Sequence, residues 1–189
     1  MRRAALVTAL LPGALLVLPA CSSSNDTRPA YRVPALIKLL VTARDVDLQG
    51  YTTTRPDGEE QPGAATATAY FNRAGFTDSG LHSSDVASQV TVTLVATSSP
   101  VAARARVDDA VASATAGLRD APTSTPVGLG THGREVAGRA KGDGAAQRGV
   151  YFADGEVAVS VIVSSVVAQP ATIARDVARA QDAKLRRSS

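Results

Sequence analysis

The stretch that decides the fold is residues 149–165, which read Gly-Val-Tyr-Phe-Ala-Asp-Gly-Glu-Val-Ala-Val-Ser-Val-Ile-Val-Ser-Ser. Its β-branched residues recur at every second position from Val157 onward, and this alternation is typical of a strand. Asp154-Gly155 divides the stretch, and that pair is favoured in two-residue turns between antiparallel strands. The sequence therefore predicts a β-hairpin with strands at residues 149–153 and 156–165.

Two long helices are predicted, at residues 100–119 and 170–187, and the first follows a further strand at residues 89–97. Apolar residues in the helices recur three or four positions apart, which places them on one side. In the strand they recur at every second position. The inward positions are Val90, Val92 and Leu94 in the strand, Val107, Val111, Ala114 and Leu118 in the first helix, and Ile173, Val177, Ala180 and Leu185 in the second.

Shorter elements complete the predicted domain. Residues 34–43 are expected to form a short helix, and residues 65–72 and 135–141 are expected to form strands. Three polar segments rich in Gly, Pro, Ser, Thr or Asp are expected to be loops. These are residues 55–63, 76–85 and 120–131.

The order of the elements raises the hypothesis of an internal duplication. Tyr70-Phe71 and Tyr151-Phe152 each precede a β-branched strand and then a helix that begins at a proline. Two β-β-α units would share one antiparallel sheet, and each helix would fold back onto the sheet it has just left. The predicted fold class is therefore α+β, an antiparallel sheet with two long helices packed on one face. Chance is the alternative, because short Val-rich and Ala-rich patterns are common.

The first 20 residues have the layout of an export signal. Arg2 and Arg3 precede an apolar run that ends at Leu18-Pro19-Ala20, and Cys21 follows as the single cysteine of the chain. The run is too short for a membrane-spanning helix. The predicted organisation is a signal peptide at residues 1–20, a polar tether at residues 21–30 and a single domain at residues 31–187.

Residues 18–21 resemble the lipobox of bacterial lipoproteins, in which a small residue precedes the modified cysteine. The resemblance implies that Cys21 carries a lipid and anchors the protein on the outer face of the cell membrane. Pro19 departs from the family pattern, and slow processing is expected from it. An ordinary secretory signal that is cut nearby is the alternative. The chain as a whole resembles small actinobacterial lipoproteins, and more loosely the extracytoplasmic sensor domains of receptor kinases.

Composition excludes several classes of protein. The formal charge of +3 includes Arg2 and Arg3, so the domain itself is nearly neutral and no nucleic-acid partner is expected. Only one cysteine is present, so no internal disulfide can form. Tryptophan is absent and aromatic residues make up 4% of the chain, which argues against sites that stack sugars or bases.

No segment carries a convincing catalytic or metal motif. Residues 128–133 match the letters G-x-G-x-x-G, but a Thr/Pro-rich segment precedes them and an extended segment follows, so a loop is predicted and not a dinucleotide site. His82 and His132 lack metal-spaced partners. Asp108 and Asp109 are adjacent on a helix, where neighbouring side chains diverge. No catalytic, cofactor-binding or metal-binding residues are predicted.

These observations favour a non-enzymatic envelope lipoprotein that binds an apolar ligand or a partner protein. The alternative is a structural or accessory subunit whose exposed sheet face docks on another envelope protein. An enzyme is the least favoured class, because no nucleophile, base or metal set is visible. A closed apolar cleft would favour a ligand, whereas an extensive exposed patch would favour a protein partner.

Overall fold

A computed structural model describes residues 28–74, 86–142, 144–165 and 170–188. In these residues the chain forms three helices and eight strands. The helices are α1 (Val33–Leu39), α2 (Pro100–Gly117) and α3 (Pro170–Arg186). The strands are β1 (Thr52–Thr53), β2 (Asp57–Gln61), β3 (Ala64–Ala74), β4 (Val86–Thr97), β5 (Leu118–Pro126), β6 (Thr131–Ala140), β7 (Ala146–Asp154) and β8 (Val157–Ser165).

All eight strands belong to one antiparallel sheet. Its order is β1-β3-β4-β8-β7-β6-β5, with β2 pairing beside β3. The centre of the sheet is the pairing of β4 with β8, in which Val92 lies opposite Val161 and Leu94 opposite Val159. The predicted strands 89–97 and 156–165 are therefore direct neighbours, and the predicted large antiparallel sheet is confirmed.

The hairpin at residues 149–165 is confirmed, with its turn one residue later than predicted. Asp154 pairs with Val157, so the two turn residues are Gly155 and Glu156. Gly155 has a φ of +53°. The favoured hairpin turns need a positive φ at their first position, and glycine adopts it without steric cost.

Two of the segments predicted to be loops contain strands. Residues 55–63 include β2, whose five residues are all exposed. Residues 120–131 overlap β5, whose pairing with β6 is irregular between Arg119 and Thr123, around Pro122. Both strands lie at edges of the sheet, where charged side chains and prolines are tolerated. The third predicted loop, residues 76–85, lies outside the described residues.

One face of the sheet carries the larger core. The buried side chains on this face are Ala65, Ala67, Ala69 and Phe71 from β3, Val90, Val92, Leu94 and Ala96 from β4, Val150 and Phe152 from β7, and Val157, Val159, Val161 and Val163 from β8. Leu36 from α1 and Ala174, Val177, Ala178 and Leu185 from α3 pack against them. Val159 and Val161 therefore share the face of β8 that α3 covers.

The second face carries a smaller core covered by α2. Ala103 and Val107 from α2 pack against Tyr151 and Ala153 of β7, among other residues of this face. Successive strand residues point to opposite faces, so the side chains beneath α2 are those that point away from α3. The tyrosine ring lies over Gly149 on the same strand, where a Cβ would collide with it.

The predicted placement of both long helices on one face is therefore wrong. Strand β8 is apolar on both faces, with Val159 and Val161 beneath α3 and Ala158 and Ile162 beneath α2. A central strand that is apolar on both faces is stable only when both faces are covered. The structure does not confirm the duplication, because a two-fold axis that relates the strands would leave both helices on one face.

The first and last helices of the domain are joined through a buried glutamine. Gln181 of α3 is 0% exposed. Its Oε1 accepts a hydrogen bond from the backbone N–H of Val41 at 2.9 Å, and its Nε2 donates to the carbonyl of Leu39 at 2.9 Å. Lys184 adds a hydrogen bond from Nζ to the carbonyl of Leu40 at 2.7 Å. The backbone groups after α1 are thereby satisfied by side chains of α3.

Candidate functional site

The α2 face of the sheet is only partly covered. Among the described residues, α2 packs mainly on β6, β7 and β8 and less on β4, so β3 and part of β4 lie beyond the helix. The half-exposed side chains there are mostly hydroxyls and amides, namely Thr66, Thr68, Tyr70 and Asn72 on β3 and Gln89, Thr91 and Thr93 on β4. We call these seven residues the open sheet face.

Hydrogen bonds between neighbouring strands order the open sheet face. The Oγ1 atoms of Thr68 and Thr93 lie 3.2 Å apart, and Gln89 Nε2 donates to Asn72 Oδ1 at 2.9 Å. Cross-strand pairs of this kind restrict side-chain rotamers and support the local register. These hydrogen bonds therefore hold four of the seven side chains of the open sheet face in place.

A groove runs between the open sheet face and α2, with a volume of about 300 Å³. Its floor includes Thr93 and Val95 of β4 and Ala158 and Ser160 of β8. Its wall is one side of α2, formed by Arg106, Val107, Asp109 and Ala110. We call this cavity the α2 groove.

The α2 groove is lined mainly by apolar groups, with the hydroxyl residues Thr93 and Ser160 in its floor and charged side chains at its rim. Val107 is 1% exposed and contributes an aliphatic wall. Arg106 and Asp109 are exposed and lie three residues apart on α2, so the rim offers one cation and one anion. Sites for small molecules are commonly concave and apolar with a few charged or polar groups, which is the arrangement found here.

Tyr151 lies beneath α2 as a buried phenol. It is 2% exposed, and burial raises its pKa to about 12. Loss of the phenolic proton would place a charge in the smaller core, and burial disfavours the charged form. Tyr151 therefore stays neutral at physiological pH and packs beneath α2 in the smaller core.

His132 has a hydrogen-bond partner that the sequence did not predict. Its Nε2 lies 2.7 Å from Asp108 Oδ1, so α2 and the start of β6 are linked at an exposed position. His132 has a φ of +61°. The His132 side chain is 37% exposed, and the residue lies in β6. Asp108 and Asp109 diverge as predicted, because Asp109 lines the groove while Asp108 binds His132.

The glycine-rich segment at residues 128–133 leads into β6 and not into a helix. A dinucleotide site needs a helix N-terminus at the end of this motif, where backbone N–H groups meet the pyrophosphate. The strand that follows the motif is consistent with the prediction that residues 128–133 are not a dinucleotide site. Gly130 has a φ of +48°, and a Cβ there would collide with the carbonyl oxygen of Ala153.

Cys21 and His82 lie outside the described residues. Across residues 28–74, 86–142, 144–165 and 170–188, no three His, Cys, Asp or Glu side chains are grouped so that they could hold a metal ion. None of the three helices in the described part of the chain has the length and apolar character that a membrane span requires.

Sequence reasoning missed both the α2 groove and the open sheet face. The alternation of Thr66 and Thr68 with Ala65 and Ala67 is the signal that was present, since it gives β3 one apolar face and one hydroxyl face. The groove itself had no local signal. It depends on where α2 crosses the sheet, and that follows from the packing of the helix on β6, β7 and β8.

Comparison with known proteins gives one structural similarity. No protein-family model matches the chain, and no curated protein matches it significantly. The fold is similar to that of the extracellular domain of PknH from Mycobacterium tuberculosis, with a TM-score of 0.59 and 15% sequence identity over 85% of this chain and 99% of that chain. At this identity the similarity shows the fold alone. It agrees, at the level of fold, with the expected resemblance to extracytoplasmic domains.

Proposed function

We propose that this protein is a non-enzymatic, lipid-anchored protein of the cell envelope that binds an apolar small molecule in the α2 groove. The observation that carries the proposal is the groove itself, a cavity of about 300 Å³ that is walled by Val107 and Ala110 of α2 and bounded below by β4 and β8. Arg106 and Asp109 at the rim would orient a polar end of the ligand. The similarity in fold to an extracellular domain supports the location outside the cytoplasm.

The groove is tested by filling it. Ala110 lies in the wall and is half-buried, whereas Ala105 lies on the same helix and is exposed. Ala110→Phe should place a ring in the groove and exclude the ligand, and Ala105→Phe makes the same chemical change at a position outside the groove. The measurement is mass spectrometry of lipids and metabolites extracted from protein that is purified from its native membrane.

A compound that co-purifies with the wild type and with Ala105→Phe, but not with Ala110→Phe, would support the proposal. Equal recovery from all three proteins would contradict it, as would the absence of any enriched compound. Thermal unfolding of both variants serves as the control for overpacking, which typically costs about 1–3 kcal/mol.

The anchor is tested separately. Cys21→Ala should move the protein from the membrane fraction to a soluble fraction, because a lipid on Cys21 is the proposed attachment and two or three acyl chains hold a protein stably. Pro19→Ala should speed processing of the precursor. A Cys21→Ala protein that stays in the membrane fraction, together with a wild type that carries no lipid by mass spectrometry, would contradict the anchor.

The open sheet face favours the second candidate function, that of an accessory subunit that docks on another envelope protein. Its side chains are polar, and some of them are ordered by hydrogen bonds, as in the pairing of Thr68 with Thr93. Thr91→Arg would place a long cation in the middle of this surface and leave the wall of the α2 groove unchanged. Loss of a co-purifying envelope protein in Thr91→Arg, with no change in small-molecule content, would favour the docking function over the ligand function.

A further inference from the structure

A buried carboxylate lies beneath α3, on the face of the sheet opposite to the α2 groove. Glu135 of β6 is 3% exposed and pairs across the sheet with Val150, which belongs to the larger core. Its Oε2 accepts a hydrogen bond from Arg175 Nε at 2.7 Å, and its Oε1 accepts one from Arg175 Nη2 at 3.1 Å. Arg148 of β7 also donates from Nη1 to Glu135 Oε1.

Two guanidinium groups therefore share one carboxylate. A buried charge is stable only when it is paired, and Glu135 is paired with both arginines. The bidentate bond fixes the plane of the Arg175 guanidinium and occupies its Nε and Nη2 atoms. The Nη1 atom of Arg175 takes no part in that bond, so its N–H groups can donate hydrogen bonds to another partner.

A cavity of about 250 Å³ lies beside this cation. It is bounded by Arg175 and Arg179 of α3, by the segment from Thr125 to Leu129 that joins β5 to β6, and by Val150 beneath. Arg175 and Arg179 are four residues apart and so lie on the same side of the helix, where like charges repel. Arg179 has an exposed ion pair with Asp176 at 3.2 Å, which compensates its charge only weakly.

The charges around the cavity do not balance. Arg148, Arg175 and Arg179 face two carboxylates, those of Glu135 and Asp176. One positive charge remains in excess at the mouth of a concave site. An anionic group between the two α3 guanidiniums would remove their repulsion and supply acceptors for their free N–H groups.

We propose that the cavity between α3 and residues 125–129 binds a small oxyanion, the carboxylate or phosphate group of a ligand whose remaining atoms contact Val127 and Leu129. Arg175 and Arg179 would bind the anion, and Glu135 would act as a positioning residue that holds Arg175 in place. The site lies on the other face of the sheet from the α2 groove, so it does not depend on the proposed function. A purely structural ion network would show no saturable anion binding.

The test is calorimetric titration of the purified protein with inorganic phosphate and with phenyl phosphate, at low ionic strength where screening is weak. Arg179→Gln removes one of the two anion ligands without touching Glu135 and should weaken binding by about tenfold, as expected for a hydrogen bond to a charged group. The matched control is Arg104→Gln, which removes an equal charge from α2 on the opposite face, at a position that lines neither the cavity nor the α2 groove. Its affinity should equal that of the wild type.

Nuclear magnetic resonance locates the bound anion. Saturating phosphate should shift the backbone amide signals of Gly128 and Leu129 in the wild type and should shift them less in Arg179→Gln. Because Arg179 is an exposed residue of α3, its variant should unfold at the same temperature as the wild type. The absence of saturable binding of both anions, together with the absence of binding to anionic vesicles, would overturn the proposal.

Vesicles distinguish a free anion from a lipid headgroup. The Cys21→Ala protein should bind phosphatidylglycerol vesicles but not phosphatidylcholine vesicles if the phosphate is presented by a lipid, and Arg179→Gln should weaken that binding while Arg104→Gln does not. Binding of phosphate in solution without vesicle binding would identify a free anion. An equal effect of Arg104→Gln and Arg179→Gln would overturn the proposal, because it would show attraction by net charge and not by the cavity.

Discussion

Two valines on opposite faces of the sheet allow the contribution of each hydrophobic cluster to the free energy of unfolding to be measured separately. Val107 of α2 and Val177 of α3 are each 1% exposed, and they belong to different hydrophobic clusters. Val101 of α2 is 67% exposed and provides a control with the same chemistry. The perturbation is a change to alanine at each position, singly and with Val107 and Val177 changed together.

The magnitude follows from the groups that are removed. Each change deletes the equivalent of two buried methylene groups, at about 0.8 kcal/mol each, and adds a term for the cavity that is left. Val107→Ala and Val177→Ala should therefore each lower the free energy of unfolding by about 1.5–3 kcal/mol. The melting temperature of a domain of this size should fall by about 2–4 °C for each kcal/mol. Val101→Ala should change stability by less than about 0.5 kcal/mol.

The double variant tests the arrangement of the helices. The sheet separates the two valines, so their effects should add to within about 0.5 kcal/mol. The assay is urea unfolding followed by circular dichroism, with the slope of the transition checked for constancy so that the midpoint reports stability. A coupling free energy above about 1 kcal/mol would refute the placement of α2 and α3 on opposite faces. A buried valine that could be changed without loss would refute the assigned core.

Two further predictions concern titration. Because burial raises the pKa of Tyr151 to about 12, its phenolate absorbance should appear only near that pH, and a Tyr151→Phe protein should lack this late transition. The free energy of unfolding should fall as the pH rises above about 10, because the unfolded chain loses this proton first. Burial, and then the charge of Asp182, raise the pKa of Asp154, and its Oδ2 is a buried atom without a hydrogen-bond partner. The folded state therefore binds this proton more tightly than the unfolded chain, so lowering the pH through the raised pKa should relieve a destabilisation that is present at neutral pH. Asp154→Asn should raise the melting temperature at pH 7 and flatten that pH dependence, and an unchanged pH profile would count against the assignment.

The sequence predicted the elements whose signals are local. The hairpin of β7 and β8 was recognisable because its β-branched alternation flanks a glycine turn, and α3 was recognisable from the spacing of Ile173 and Val177. The edge strands β2 and β5 were missed because charge and proline, which usually indicate loops, are also what edges of sheets tolerate.

The sequence of β8 did not decide which helix covers which face, because β8 is apolar on both faces. Val159 and Val161 indicate one apolar face of β8, but Ala158 and Ile162 indicate a second one. Short apolar runs of this kind identify a buried strand without saying which helix covers which side. The groove beside α2 and the burial of Glu135 follow from that choice of sides, so neither could be predicted before it.

The hydrogen bonds of Gln181 have a consequence for the order in which the chain can fold. They join residues 140 positions apart, so the backbone after α1 cannot be satisfied until α3 has been made. The central pairing of β4 with β8 imposes the same delay, because its strands are far apart in the sequence. Contacts between distant parts of a chain slow folding. A chain that passes through a membrane N-terminus first would therefore complete the contacts of Val41 and of β4 only after its last strand and helix had emerged.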